Sequence, residues 1–371
     1  MDFRLRPVRY EELPGWPEDD PSPLFPAMAD CRRHVIHVKP YRTGSLGVTA
    51  DDLLPAFAAA DENPPADAAA ARVFFETWFT PFLIEPAEVP SGFVTAYYEP
   101  DVEVRAEADA EYRHPFYRRP DDLIDLDETN RPPTLDASYA FGRLDGETVA
   151  EYADRRAIDE GHLAGRGLEI AFARSRVDVF FAHIQGAARL RFADGRVLRI
   201  TYAAKSGHPF SPIGRLLIDR GEIDAATVSM ASIRAWLAAH PDRADDVLWH
   251  NRSYIFFREA PVTDLSRGPV AAAKVPLVAG RSLAVDRLIH TFGTPFHIAS
   301  DSLTHIDRGR PFRRLMLALD TGTAITGPAR GDLFIGSGEA AGVLAGNVRN
   351  AAHFHILIPR AAAKRFGHGK G

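Results

Sequence analysis

Two aspartates in the stretch LMLALDTGTAITGPARGDLFIG, residues 315–336, have the type and spacing to move protons. Asp320 follows an apolar run and precedes Thr321 and Gly322, where a buried strand would open into a turn. Asp332 follows Gly331 and precedes Leu333, Phe334 and Ile335, where the next strand would begin. Short carboxylates at such places also serve as turn formers, because they bond their own backbone, and spacing leaves that reading open. The chemical reading is a carboxyl group against apolar walls, raised from about 4 toward neutrality and so able to give up a proton. Cleavage of a glycosidic bond requires an acid of this kind. The sequence does not decide which aspartate is better desolvated. Arg330 is near enough to pair with either, and an arginine beside the acid would lower its pKa. It is therefore expected to face the other carboxylate or the substrate.

A second cluster lies in SGFVTAYYEP, residues 91–100. On a regular strand Thr95 and Tyr97 share one face and Tyr98 takes the other. Tyrosine offers a flat apolar ring and a hydroxyl, which suits a sugar, though it is equally an ordinary core residue with a wet edge. Gln185 and Gly186, and the turn Lys205–Ser206–Gly207, are further polar positions beside apolar runs. His353 and His355 share a strand face without a carboxylate nearby, so neutral, partly buried histidines are expected there and no metal. The glycines of GSGEAAG, residues 336–342, lack the Lys and Ser or Thr of a phosphate loop, and no GxSxG is present. No cofactor is called for.

The elements that would position these residues are mostly strands. The first 45 residues read as a wrapping arm with a strand at HVIHV. A short helix is expected from Asp51, and a stronger one over 68–79, where Val73, Phe74, Phe75, Trp78 and Phe79 make a broad apolar stripe. Strand patterns follow at SGFVTAYYEP, VDVFFAHIQG, ARLRFADG and RVLRITYAAKSG, with Asp194–Gly195 suited to a hairpin turn. Ser229 can cap a helix bearing Met230, Ile233, Trp236 and Leu237. WHNRSYIFFREAP returns to a strand pattern, and PLVAGRSLAVD, LMLALDTG, GDLFIG and HFHILIP continue it. The regular strand and helix alternation of a doubly wound sheet is absent. Two mostly β domains are predicted.

The chain has 371 residues, 46% hydrophobic and 25% charged, which excludes bulk disorder. A formal net charge of -6 argues against a general nucleic-acid binder. Cys31, the sole cysteine, permits neither an intrachain disulfide nor a paired-cysteine zinc site and is expected to be a buried small side chain. No apolar run approaches the ~20 residues of a membrane span, and no signal sequence is visible.

Taken together, GFVTAYYEP (92–100), GHLAGRGLEIAFARSRVDVFFAHIQGAARLRFADG (161–195), YAAKSGHPFSPIGRLLIDRG (202–221), NRSYIFFR (251–258), PLVAGRSLAVD (276–286) and ALDTGTAITGPARGDLFIGSGEAAG (318–342) resemble the MltA family of membrane-bound lytic murein transglycosylases. The resemblance implies a mainly β, two-domain protein with N-terminal and peripheral helices. Residues 1–100 would hold helices and the first part of a double-psi β-barrel, 101–260 a smaller inserted β domain, and 261–371 the 3D region completing the barrel. A groove between the domains would hold the glycan. It further implies cleavage of the β-1,4 bond between N-acetylmuramic acid and N-acetylglucosamine, leaving 1,6-anhydromuramic acid ends. Asp332 would be the catalytic acid and then base, and Asp320 would organise the site. Thr95, Tyr97, Tyr98, Gln185, Gly186, Lys205, Gly207 and Arg330 would contact substrate. Peptidoglycan strands would be the partner of a monomer in the periplasm or at the outer membrane, with peripheral or lipid-anchored attachment not visible in this chain. Two rivals are a two-carboxylate hydrolase with Asp320 as base and a noncatalytic glycan-binding module.

Overall fold

The computed structural model describes residues 3–87, 89, 91–260 and 264–366. The chain begins with strand β1 (Phe3–Pro7), helices α1 (Phe25–His37), α2 (Ala50–Glu62) and α3 (Ala68–Trp78), then β2 (Phe79–Pro86) and β3 (Gly92–Glu99). Next come β4 (Asp101–Arg105), β5 (His114–Tyr117), β6 (Leu123–Asp125), β7 (Phe141–Asp145), β8 (Thr148–Ala150), α4 (Arg155–Asp159) and β9 (Glu169–Ala173). These are followed by α5 (Arg176–Gln185), β10 (Ala187–Phe192), β11 (Val197–Lys205), α6 (Ile213–Asp219), α7 (Met230–Ala239), α8 (Pro241–Trp249) and β12 (Ile255–Glu259). The last part holds β13 (Ser282–Val285), β14 (Pro295–Ser300), β15 (Phe312–Asp320), β16 (Arg330–Ser337), α9 (Glu339–Ala345) and β17 (Arg349–Pro359).

Two compact units result, one of Met1–Tyr98 with Val262–Gly371 and the other of Glu99–Pro261. The expected boundary at residue 261 falls among residues 261–263, outside the described ones. In the discontinuous unit an eight-stranded sheet runs β1-β2-β17-β14-β15-β13-β16-β3, and β17 pairs with β3 as well. Six strands, β17, β14, β15, β13, β16 and β3, thus form a cycle of hydrogen-bonded neighbours. β15 is central, and Leu315 to Leu319 are all buried, as befits a strand covered on both faces. The inserted unit has a six-stranded sheet, β12-β11-β10-β4-β9-β5, a three-stranded sheet, β6-β7-β8, and five helices.

Local chemistry explains the helix starts. The Thr49 hydroxyl accepts from the Asp52 amide while the Asp52 carboxylate accepts from the Thr49 amide, a reciprocal cap for α2. Ser229 and Ser232 cap α7 in the same reciprocal way, and the Asp67 carboxylate caps α3 by accepting from the Ala70 amide. The hairpin at Asp194–Gly195 joins antiparallel β10 and β11, with Gly195 at φ +86.

Three sequence expectations are corrected. HVIHV is the last turn of α1 and its C-cap Val38, and the N-terminal arm is part of the core, since Phe25, Met28, Cys31 and Val35 are buried. VDVFFAHIQG forms α5: its β-branched and aromatic residues mimic a strand, but Ser175 accepts from the Val177 amide at one end and Gly186 takes φ +74 at the other. Val179 and Ala182 pack into the sheet's core, while Phe180 and Phe181 pack with α6, α7 and α8, so apolar residues all round serve a helix buried on two sides. Phe79 is the first residue of β2 rather than the last of a helix. Among the described residues no helix is long and apolar enough to cross a membrane.

Candidate active site

Asp320 ends β15 and Asp332 is the third residue of β16. Between these strands runs β13, where Ala284 is the register partner of Asp320 on one side and of Asp332 on the other. The two aspartates therefore stand level, about 10 Å apart at the backbone, from two strand spacings. Gly331 allows this close packing, since a Cβ there would lie 2.8 Å from Leu283 Cδ1 and 2.9 Å from the Phe354 ring.

From β3, Thr95 and Tyr97 reach the two carboxylates on one face, as alternation requires. Thr95 Oγ1 donates to Asp332 Oδ1 at 2.5 Å, and the Tyr97 hydroxyl donates to Asp320 Oδ2 at 2.9 Å. Asp320 Oδ1 also accepts from the Ala272 amide at 3.1 Å. Both oxygens of Asp320 are thus occupied. Asp332 Oδ2 has no bonded partner among the described residues. Each aspartate retains some solvent exposure, yet the surrounding protein desolvates it.

Burial pushes the Asp332 carboxyl up to about 6, against the Thr95 bond and the Arg330 charge, with the Asp320 charge adding to the rise. Burial also raises Asp320, opposed by bonds from the Thr321 and Ala272 amides and from Tyr97, and by Lys274. The Tyr97 hydroxyl is raised by burial and then by Asp320, so it remains a donor.

Arg330 does not pair with Asp320. Its Nη2 donates to Thr95 Oγ1 at 2.7 Å, its Nη1 donates to the Gly331 carbonyl, and its guanidinium lies over the Phe93 ring with a 5.6 Å centroid distance. Its charge does lower Asp332, contrary to the expectation that it faces elsewhere. Burial outweighs it because the Thr95 hydroxyl stands between the two groups. Tyr98 is on the other face of β3, 8% exposed, and a Cβ on Gly342 would come within 2.7 Å of its ring.

The remaining candidates lie in the inserted unit. Gln185 ends α5, and the Gly186 carbonyl accepts from the Tyr202 amide at 2.8 Å. Lys205 ends β11, three residues beyond Tyr202, or about 10 Å along the strand. Its ammonium has no ion pair among the described residues, and burial lowers its pKa. Gly207 has φ +93, and a Cβ there would sit 2.2 Å from the Phe141 carbonyl oxygen, so no other residue fits.

Sequence reasoning missed the Ala272 amide, Lys274 and the rings flanking the site. Phe334 packs on Tyr97 with ring centroids 5.3 Å apart. Phe93 shares the Thr95 and Tyr97 face by simple alternation, a signal that was available. A backbone amide carries no sequence signal at all. Among the described residues no three His, Cys, Asp or Glu side chains cluster as metal ligands. His355 is buried beside His297, with ring centroids 5.7 Å apart, and burial depresses it to about 4, whereas His353 is exposed.

Two family domains match this chain, the MltA specific insert domain over residues 93–258 and the 3D domain over 281–358. A membrane-bound lytic murein transglycosylase of known structure from Agrobacterium tumefaciens is 61% identical, with TM-score 0.93, covering 98% of this chain and 99% of that one. The structure of E. coli MltA with bound chitohexaose is 25% identical, with TM-score 0.66, covering 97% and 94%. Membrane-bound lytic murein transglycosylase A of Escherichia coli strain K12 is 33% identical over 257 residues, which are 68% of this chain and 61% of that protein. The architecture is thus a 3D-domain protein carrying an MltA-type insert. The chain belongs to the MltA family of membrane-bound lytic murein transglycosylases.

Proposed function

We propose that this chain cleaves the β-1,4 bond between N-acetylmuramic acid and N-acetylglucosamine in peptidoglycan and leaves a 1,6-anhydromuramic acid end. The observation that carries this reading is the asymmetry of the two carboxyl groups. Asp332 is raised to about 6 with Oδ2 unbonded, while Asp320 has both oxygens taken by donors. A hydrolase of the two-carboxylate type needs a second carboxylate free to activate water. A donor on each oxygen makes the Asp320 carboxylate the weaker base for water, and its role here is to position Tyr97 and to keep negative charge near Asp332.

In the proposed reaction the proton on Asp332 passes to the glycosidic oxygen. The C1–oxygen bond breaks, and its electron pair leaves with the N-acetylglucosamine O4 as positive charge develops at the muramic acid C1. The O6 hydroxyl of the same sugar then closes onto C1 and gives its proton to the Asp332 carboxylate, restoring the acid. No water is consumed, and attack within one sugar has a high effective concentration.

The cycle of six strands supports reading the discontinuous unit as a double-psi β-barrel, with residues 101–260 as its insert. The exposed ring of Phe93 and the Lys205 ammonium, which has no ion pair among the described residues, support these positions as substrate contacts, with Tyr97, Gln185, Gly186 and Gly207 among the candidates, while Thr95 acts on Asp332. Tyr98, packed against Gly342, fits a supporting role better. The relative from E. coli that binds chitohexaose supports a glycan ligand. A cell-envelope location and a monomeric state complete the proposal. Digestion of purified sacculi, with products weighed by mass spectrometry, tests it. Anhydro ends made by wild type and not by Asp332→Asn are expected; reducing ends would mean hydrolysis, and binding without soluble fragments would mean a noncatalytic module.

A further inference from the structure

Arg330, Thr95 and Asp332 form a chain of two hydrogen bonds that can run in only one direction. A guanidinium has donors and no acceptor. Thr95 Oγ1 must therefore accept from Arg330 Nη2, at 2.7 Å, and its single proton must go to Asp332 Oδ1, at 2.5 Å. Arg330 is itself held by the Gly331 carbonyl and by the Phe93 ring, and among the described residues it has no carboxylate ion pair. Without Arg330 the hydroxyl could turn and accept from a protonated Asp332 instead, leaving either oxygen to carry the proton.

We infer that Arg330 is a positioning residue that, through the Thr95 hydroxyl, fixes which oxygen of Asp332 carries the acid proton. Oδ1 is a permanent acceptor, so the proton resides on Oδ2, the oxygen with no other partner. When Asp332 gives up that proton, the Thr95 bond persists and becomes charge-assisted, which steadies the carboxylate until it takes the O6 proton. The inference rests on Asp332 being the acid. It differs from a substrate-contact role for Arg330, which would act on binding.

The titratable and charged groups around Asp332 are Arg330 on its own strand, Tyr97 on β3 and Asp320 on β15. Lys274 acts on Asp320, and Arg349, the register partner of Thr95 on β17, is exposed. β13 contributes none. Removing either the arginine or the hydroxyl takes away stabilisation of the ionised form, so the pH at which activity is lost on the alkaline side should move up.

The test compares kcat, KM and pH profiles on a soluble glycan for wild type, R330M, T95V, T95S, the double variant T95V/R330M and D332N, with melting curves for each. R330M keeps an apolar stem over Phe93, and T95V keeps the shape of Thr95. Expected are kcat losses of about tenfold for R330M and T95V, KM within about twofold, and alkaline limbs raised by about half a unit or more. T95S should restore the wild-type profile, and the double variant should be no worse than T95V because both changes cut one chain. A raised KM with an unmoved limb, losses that multiply, or no loss at all would each overturn the inference. An active D332N would instead defeat the underlying choice of acid, so the two failures are distinguishable.

Discussion

In the inserted unit, Glu99 and Arg199 are buried to 0% and 1% exposure and joined by bonds of 2.6 and 2.8 Å. Arg155, equally buried, donates to the Asn251 and Ser253 carbonyls and lies 3.0 Å from His183 Nδ1. In the discontinuous unit, Asp332 meets a hydroxyl and, among the described residues, no cation directly. The contrast is one of purpose. A buried charge held directly by its partners is structural, whereas burial of a carboxyl that touches no cation directly raises its pKa and favours the protonated form. Asp19, in the same unit as Asp332, follows the structural pattern with Arg281 at 2.8 Å, so the unpaired state belongs to the site and not to the unit.

The largest effect is expected for Asp332→Asn, which should cut turnover by about 10²- to 10⁴-fold with the fold intact; near-normal release of anhydro fragments would refute the role of Asp332. Next is Arg199→Met, which takes the guanidinium away from buried Glu99 and should cost about 3–5 kcal/mol of stability, measured by urea unfolding. A loss of activity in that variant with unchanged stability would assign the ion pair to chemistry.

A smaller effect is expected with pH. The Asp332 carboxyl is raised from 3.8 to about 6, so the folded state holds a proton that the unfolded chain releases in that window. Stability therefore falls as pH rises from about 4 to about 6 and stays lowered above. Asp332→Asn should be more stable than wild type at pH 7 by about 2 kcal/mol, after allowance for the solvent-exposed part of the side chain. That advantage should vanish near pH 4 in paired melting curves. The smallest effect is expected for Tyr97→Phe, which removes one donor to Asp320 at about 1–2 kcal/mol. Its readout is the same unfolding curve, and a null result would mean that the remaining amide donors hold Asp320 alone.

Period-two alternation was enough to place β3, β10, β11, β15 and β16 and to put Thr95 and Tyr97 on one face, because those strands bury one side or a whole run. The same rule failed for α5. There the deciding signals were the terminal residues Ser175 and Gly186, while the apolar content reflected packing on two sides. HVIHV failed for a similar reason, as a buried helical face of α1 mixed with exposed Ile36 and Val38 resembles a strand over a few residues.

The carboxyl and hydroxyl groups, their order, and the alternation that aims them are all written along the chain. Spacing left open which aspartate is better desolvated, and only the family resemblance pointed to Asp332. Thr95 and Asp332 are 237 residues apart, and Tyr97 and Asp320 are 223 apart, so no local pattern records their bonds. Only the tertiary structure brings β3 beside β16, gives Ala272 to Asp320, and buries Asp332 with one oxygen unbonded. Proton affinity depends on desolvation and on neighbours in space, and both are properties of the folded chain.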